Sequence, residues 1–262
     1  GWITRIERWF SMKFTINSKE FINVLERSLL KGKYMVSGVM KSAKLSEYVQ
    51  VTAKDNLAIY NADNSTIVKV QCDCDIEERG EVIVEVDTLI KYLKTMGEET
   101  NFQAGDTITL QSNSKKATLP VVVVHPHMST IYTMGKKKIE FDAQLEEYLT
   151  YGRSDKPYST ALQLMSNTLS DAIKACELVK SGIYTLDYHE NLKVSSSQNH
   201  ESYTQQLELM NSIGDPATIA VSAPIHSLFN NELINIYMSD DVPITIVSPT
   251  AFLIRAPRIS GD

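Results

Sequence analysis

Two short clusters carry the residue types of a metal or redox site. HPH at 125–127 and CDC at 72–74 each place two potential ligands on alternate residues. Alternate residues of an extended segment point to the same side, so each cluster could offer two ligands to one ion. Zinc usually takes four ligands, and no others follow at a recognisable spacing, with His189 and His200 only distant recruits. The sequence therefore predicts no metal site and no cofactor.

The sequence also lacks the short motifs of common catalytic sites. It contains no Gly-rich phosphate loop, no G-x-S-x-G and no H-E-x-x-H. Carboxylates are plentiful, but no pattern pairs them around a pocket. We therefore predict that the protein is not an enzyme, and an enzyme of unrecognised type remains an alternative from a different class.

Length, composition and charge limit the class of protein. The 262 residues suffice for two domains, and 43% hydrophobic with 22% charged residues is typical of a folded chain. No apolar run approaches the length of a membrane span, and the odd count of three cysteines favours a reducing compartment. The net charge of −6 argues against a generally basic nucleic-acid binder, but it does not exclude one basic surface.

The hydrophobic pattern predicts the same order of elements twice. A strand over 12–17, a helix over 18–30 capped by Ser18, several strands and a helix over 87–96 form the first half. A strand over 161–165, a helix over 167–182, several strands and a short helix starting near Ser222 form the second. The pattern predicts an α+β protein with two similar domains, each with two helices on antiparallel sheets. We expect the domains over 12–124 and 161–262, an irregular connector over 125–160, and an appended peptide over 1–11.

Basic side chains lie on the polar faces of the predicted helices, opposite the apolar faces. Such lysines are usually only solvated, but together they could form one surface for a phosphate backbone. The candidates are Lys19, Arg27, Lys31, Lys91, Lys94, Lys174 and Lys180.

Several segments resemble one family, the two-domain sliding clamps of the proliferating cell nuclear antigen type. The resemblance is carried by INIYMSDDVPITIVSPTAFLIRAPRI at the C-terminal end, KDNLAIYNADNSTIVKVQCD, and EVDTLIKYLKTMGEETNFQAGDTITLQ. The doubled strand–helix pattern extends it over nearly all of 12–262.

The resemblance implies that the chain is a DNA polymerase processivity factor without catalysis. Three two-domain chains would close into a homotrimeric ring whose helices face double-stranded DNA, held without reading its sequence. The seven basic residues above would line the hole, whereas the fourth helix offers only His226. A cytoplasmic or nucleoid location follows for an archaeal or viral source, and a nuclear one for a eukaryotic source. In all of these cases we expect no association with a membrane.

Clamps of this family also bind partners in an apolar pocket between their domains. The implied partners are a DNA polymerase, a clamp loader, and a flap endonuclease or ligase that acts in replication and repair. By position, the pocket would use part of the connector and the residues Ala62, Thr66, Ile67, Val242, Pro243, Ala256, Pro257, Arg258 and Ile259.

The first eleven residues resemble the docking peptide that such partners carry, the PIP box. Ile6, Trp9 and Phe10 have the spacing of its aliphatic and aromatic anchors, but Ile3 stands where a Gln is expected. Ser11-Met12 resembles a junction. We expect an engineered fusion first, a native extension that occupies a clamp pocket second, and a vector remnant third.

One rival belongs to the same fold class. A monomeric processivity factor of viral type would hold DNA by charge instead of by ring closure. Such a monomer should bind linear DNA with a steep salt dependence, and the charge of −6 argues against it.

Overall fold

The computed structural model describes residues 11–122, 158–222 and 224–258. They fall into two compact units. The first is drawn from Gly1–Leu29, Leu45–Asp63 and Val68–Lys136, and the second from Leu30–Lys44, Asn64–Ile67 and Lys137–Asp262. The predicted α+β class is confirmed, because three α-helices accompany twenty strands in these described residues.

The elements follow the predicted order along the chain except at the short helix expected near Ser222. The helices are α1 (Ser18–Ser28), α2 (Val86–Leu93) and α3 (Ser166–Cys176), and a 3-10 turn over Glu177–Val179 extends α3. The strands up to the connector are β1 (Met12–Asn17), β2 (Gly32–Val36), β3 (Val39–Ala43), β4 (Tyr48–Ala53), β5 (Leu57–Ala62), β6 (Thr66–Cys72), β7 (Asp75–Glu78), β8 (Gly80–Glu85), β9 (Glu99–Ala104), β10 (Thr107–Ser112) and β11 (Lys115–Pro120). The later strands are β12 (Thr160–Met165), β13 (Tyr184–His189), β14 (Asn191–Gln198), β15 (Glu201–Leu207), β16 (Asn211–Gly214), β17 (Ala217–Val221), β18 (Leu233–Met238), β19 (Ile244–Val247) and β20 (Ala251–Arg255).

The first unit packs helices α1 and α2 against antiparallel strands. One sheet has the order β11-β10-β9-β1-β7, and strands β6, β5, β4 and β8 lie side by side in another. Strand β1 buries Met12, Phe14 and Ile16, as its alternation predicts. Phe14 stacks on Phe102 at a ring-centroid distance of 4.7 Å, and both rings meet the edge or face of Phe21 from α1. This aromatic cluster fixes α1 on the sheet.

The N-cap of helix α1 lies one residue earlier than the pattern indicates. The N-cap is Asn17, whose side chain accepts a hydrogen bond from the Glu20 backbone N–H at 3.0 Å. The prediction that Ser18 caps the helix is wrong. The Ser18 hydroxyl instead donates to the Gly97 carbonyl at 2.6 Å and lies 2.7 Å from the Thr100 hydroxyl, which ties the helix start to strand β9.

Removal of this cap should weaken the first unit. We expect Asn17→Ala to lower the free energy of unfolding by about 1 kcal/mol, because one helix N–H loses its partner. Asn17→Asp keeps an acceptor and serves as the control, with a change of a few tenths of a kcal/mol. Guanidinium titration followed by circular dichroism measures both. Equal losses in the two variants would contradict the capping role.

The second unit packs one α-helix, α3, against antiparallel strands in the part of the chain that the structure describes. Its sheets have the orders β15-β14-β13-β17 and β16-β12-β18-β19-β20, and α3 buries Leu169, Ala172, Ile173 and Cys176. The hairpin β2–β3 also belongs to this unit, although the sequence places it directly after α1. Gly182 closes the turn after α3 with a φ of +71°, close to Met35 and Met40 of the hairpin.

The short helix predicted near Ser222 is not found. Residues 224–232 form turns. Asn230 holds the segment, because its carbonyl accepts from the Ser166 hydroxyl and its N–H donates to a Glu232 carboxylate oxygen at 3.0 Å. Leu228 is buried and Phe229 is half-buried, so the predicted inward positions are largely right even though the helix is not.

Candidate nucleic-acid interface

In the first unit, α1 and α2 lie against each other and turn lysines outward. Their apolar faces bury Phe21 and Leu25 on one helix and Leu89 and Leu93 on the other. Three of the predicted lysines on these helices are exposed: Lys19, Lys91 and Lys94. None of them is in an ion pair within the described ranges. The helix pair therefore presents unpaired positive charge to solvent.

Arg27 departs from this surface. Its side chain is only 8% exposed, because it lies between the buried positions Val24 and Ser28 at the margin of the apolar face of α1. Arg27 therefore offers less accessible surface than the three lysines, and its place among the DNA-contacting residues stays a prediction. A three-residue spacing leaves the margin of a helix face undetermined, so the sequence does not indicate this burial.

In the second unit, the predicted lysines lie on α3 and its neighbours. Lys174 is exposed near the end of α3, and Lys180 is exposed in the left-handed conformation with a φ of 61°. Lys31 is exposed just before strand β2. The structure brings Lys31 and Lys174 to one groove of about 780 Å³, whereas Lys180 is not among its lining residues.

The groove has further basic members that the sequence did not single out. Lys33 lies in β2, Lys44 directly follows β3, and both line the same groove. The Lys33 ammonium donates a hydrogen bond to the Ser42 hydroxyl at 2.7 Å across the hairpin. The dipeptide Ser37-Gly38 could have indicated this hairpin in the sequence, because it fits a two-residue hairpin turn. In the structure both residues have positive φ, 51° and 79°.

One carboxylate and one imidazole complete the lining. Burial raises the pKa of Glu177, while Lys33 and Lys174 oppose the rise. His226 is 7% exposed, and burial followed by repulsion from Lys174 lowers its pKa to about 4. The imidazole is therefore neutral at pH 7, and the lysines set the sign of the potential in the groove.

The buried imidazole makes stability depend on pH. The folded pKa of His226, about 4, lies below the ordinary 6.5, so the unfolded chain binds the proton first as pH falls. We expect stability that is fully present above pH 6.5 to be lost as pH falls toward 4, by up to about 3 kcal/mol. Unfolding titrations at pH 7, 5.5 and 4.5 measure the loss. His226→Gln cannot titrate and should show a shallower slope, and identical slopes would exclude His226 as the source.

The thiols are poor nucleophiles at neutral pH. Burial and neighbouring carboxylates raise the pKa of Cys72 to about 12 and that of Cys74 to about 11, and burial raises that of Cys176 to about 11. All three are therefore thiols at neutral pH, not thiolates. Over 11–122, 158–222 and 224–258 no three His, Cys, Asp or Glu side chains come together as a metal site would need. The HPH cluster lies outside the described residues.

The predicted pocket residues are partly buried and partly exposed. Ala62, Thr66 and Ile67 are buried, Val242 and Pro243 are half-buried, and the Pro243 carbonyl accepts a hydrogen bond from Tyr158 at 2.9 Å. These residues are therefore also explained by packing and turn geometry.

The C-terminal segment is held by its backbone within the second unit. The Ala256 N–H donates to the Ser65 carbonyl at 2.8 Å, and the Arg258 N–H donates to the Ala220 carbonyl at 2.7 Å. The Ala256 and Arg258 side chains are exposed, and Pro257 is half-exposed. The structure thus brings 256–258 beside the loop that precedes Thr66. Ile259 and the peptide anchors Ile6, Trp9 and Phe10 lie outside the described residues.

No helix in the described ranges has the length and apolarity that crossing a membrane requires. No protein-family model matches the chain, and no curated protein matches its sequence.

Solved structures of sliding clamps share the fold. A. fulgidus PCNA, solved with the C-terminal region of FEN-1 bound, is 13% identical with a TM-score of 0.66, and the match covers 96% of this chain and 100% of that one. The DNA polymerase sliding clamp of Pseudomonas aeruginosa is 13% identical with a TM-score of 0.68, over 95% of this chain and 67% of that one. A chain of the Sulfolobus tokodaii PCNA2–PCNA3 complex is 15% identical with a TM-score of 0.65, over 94% and 99%. The chain therefore has the sliding-clamp fold.

Proposed function

We propose that the protein is a DNA sliding clamp, a processivity factor that encircles duplex DNA and recruits replication and repair proteins. The observation that carries this proposal is the extent of the match, because the fold of a complete archaeal clamp chain is reproduced over 96% of this one. The proposed role is that of a scaffold without a catalytic step.

Ring closure needs one open sheet edge at each end of the chain. Among the described edge strands β7, β8, β11, β15, β16 and β17 we propose β11 and β15 for this role. β11 ends the five-stranded sheet of the first unit, and β15 ends the four-stranded sheet of the second. The opposite edge strands β7 and β17 are short, and β17 contacts β18 of its own unit. An unpaired edge readily accepts another strand. β11 of one copy would therefore pair with β15 of the next.

Charge supports this head-to-tail pairing. β11 carries Lys115 and Lys116, whereas β15 begins with Glu201 and contains no basic residue. Because the two edges differ, their contact is heterologous, and a heterologous contact closes into a ring when the rotation allows it. Three two-unit chains make a homotrimer of six domains, the assembly that the resemblance implies.

Weak phosphate contacts then suffice to hold DNA in the ring. Lys19, Lys91 and Lys94 on one unit and Lys31 and Lys174 on the other are exposed. Each ammonium that meets a phosphate releases counterions and adds affinity without base readout. Encirclement supplies the retention, so the overall charge of −6 is compatible with DNA binding.

Partner proteins would dock through short peptides. A FEN-1 C-terminal region bound to the A. fulgidus relative supports this mode. The proposed pocket uses Val242, Pro243 and the segment from Ala256 to Ile259, together with Ala62, Thr66 and Ile67. The peptide with Ile6, Trp9 and Phe10 would fill this pocket in its own chain or in a neighbouring one, where tethering raises its effective concentration.

Light scattering on the full chain and on a chain that starts at Met12 tests the assembly. We expect a mass of three chains for both. A monomer in both would contradict the clamp and favour the charge-held processivity factor. A trimer only with the peptide present would make the peptide part of the assembly.

A further inference from the structure

The two halves of the chain repeat one strand plan, and one hairpin lies outside it. The first half has the strand orders β7-β1-β9-β10-β11 and β6-β5-β4-β8, and the second has β16-β12-β18-β19-β20 and β15-β14-β13-β17. These orders match strand for strand, so β4 corresponds to β13 and α1 to α3. Between α3 and β13 the chain has only the 3-10 turn and a short loop, whereas hairpin β2–β3 stands between α1 and β4. The hairpin is therefore an addition to the doubled plan.

Hairpin β2–β3 packs closely on the second unit at two glycines. A Cβ at Gly32 would come within 2.7 Å of the Pro224 ring, so the base of the hairpin packs directly on the loop after β17. A Cβ at Gly182 would lie 3.2–3.3 Å from atoms of Met35 and Met40, which are cross-strand partners near the hairpin tip. Glycine allows this close approach of two backbones. The tip extends one residue pair past Gly182.

The tip of the hairpin lies beside the strand that we propose for ring closure. The Gly182 loop is joined to β14, because the Ser181 and Ser196 hydroxyl oxygens lie 2.5 Å apart. Ser196 is paired in register with Tyr203, near the Glu201 end of β15. Since the next copy would bind at the β15 edge, the tip lies at the rim of that interface.

Exposed apolar side chains are concentrated at this rim. The described part of the chain has five exposed large hydrophobic residues. Met35, Val36 and Val39 are in the hairpin tip, and Leu178 is in the 3-10 turn, which lies against β14 and β15. The fifth is Met210. A single exposed hydrophobic residue is ordinary, but a group of them indicates an interaction surface.

We infer that hairpin β2–β3 is a clasp, a surface that contacts the next copy of the chain in addition to the β11–β15 edge pairing. This inference rests on the proposed ring and adds one surface to its interface. A second copy is the occupant because ring closure already brings one to β15, beside the exposed tip.

The repeated plan indicates which part of the next copy meets the tip. The segment after α1 packs on the loop after β17, at Pro224. By the same plan, the segment after α3 would pack on the end of β8 in the next copy, where α2 begins. That helix start carries Glu85 and Asp87. Lys41 of the hairpin and Lys180 of the loop after α3 are exposed on the other side of the contact, so the two surfaces have complementary charge.

Membrane lipid and nucleic acid fit this surface less well than protein. A segment that enters a membrane interface typically carries aromatic residues, and the tip over 35–40 has none. The Tyr34 hydroxyl donates to the Leu30 carbonyl at 2.6 Å, within the base of the hairpin. Nucleic acid attracts lysines but offers its phosphates no contact with valines. An unrelated protein would leave the tip of the purified chain without a contact, which the following experiment detects.

A matched pair of variants tests the clasp. Val39→Asp and Met210→Asp each place one carboxylate at an exposed apolar position, 55% and 64% exposed in the parent chain. Met210 precedes β16, whose sheet neighbour is β12, and it lies outside both β15 and the hairpin. Circular dichroism should show both variants folded, since neither side chain is buried. Sedimentation of a dilution series gives the concentration at which half of the trimer dissociates. We expect Val39→Asp to raise it about tenfold or more, and Met210→Asp about twofold or less.

Photo-cross-linking locates the contact. p-Benzoylphenylalanine is introduced in place of Val39, unlabelled and isotope-labelled chains are mixed, and mass spectrometry identifies the adducts. We expect adducts between labelled and unlabelled copies within 80–91, the end of β8 and the start of α2. If the parent is a trimer, equal dissociation of the two aspartate variants or adducts confined to one copy would overturn the clasp and leave the ring intact. A monomeric parent would instead contradict the proposed function, and the clasp with it.

Discussion

Thr118→Pro should convert the proposed trimer into a monomer. Thr118 is exposed in edge strand β11 and lies opposite Thr109 of β10. Proline removes a backbone N–H donor, and its ring obstructs an incoming strand. The proposed partner strand β15 of the next copy would then lose its register on β11. We expect light scattering to give the mass of one chain.

The change should leave the unit itself folded. Pro120 already occupies the same alternation of β11, and alternate residues of a strand direct their N–H groups to the same side. Thr118→Val is the control, because it keeps the N–H and a β-branched side chain and should remain a trimer. A trimer in both variants would remove β11 from the interface. A monomer in both would assign the effect to the side chain instead of the edge.

Phe21→Ala should strongly destabilise the first unit. Phe21 is 0% exposed and contacts two rings, with centroids 5.5 Å from Phe14 and 5.9 Å from Phe102. Truncation of a buried phenylalanine costs about 3–5 kcal/mol through lost burial and the cavity that remains. Part of the loss comes from the edge-to-face contacts, each worth about 0.5–1.5 kcal/mol.

The comparison variants isolate the packing. Phe21→Leu keeps most of the volume and should cost much less than the alanine change. Asn23→Ala changes an exposed position of the same helix and should be nearly neutral. The midpoints of guanidinium unfolding, followed by far-ultraviolet circular dichroism, rank the stabilities of the three variants. If Phe21→Ala and Asn23→Ala had equal midpoints, the aromatic cluster would not be what holds α1.

The regular elements could be predicted because each depends on a local pattern. The alternation of Met12, Phe14 and Ile16 predicts strand β1, and the four-residue recurrence of Phe21 and Leu25 predicts α1. Both are confirmed. The cap was missed by one residue because Asn17 and Ser18 are both good N-cap residues, and only the contact of Ser18 with Gly97 separates them.

The groove could not be predicted because it depends on contacts between distant segments. No local sequence pattern indicates that residues 30–44 pack with the second unit. Nor does any pattern indicate that Lys33 and Lys174 line the same groove. The burial of Arg27 was missed for a different reason, because the sequence defines a helix face only to within about one position. Hairpin β2–β3 carried a local signal in Ser37-Gly38, but weak alternation in its strands concealed it.

The most direct test of encirclement is whether the protein is retained on a duplex whose two ends are blocked. A linear duplex is fixed to a bead at one end, the chain is allowed to thread from the other, and that end is then blocked with a bulky protein. At about 1 M salt the Debye length is about 3 Å, so charge alone no longer holds the protein. We expect the protein to stay on the blocked duplex, to leave the open one, and to be released when the blocked duplex is cut. Equal release from blocked and open duplexes would contradict a clamp.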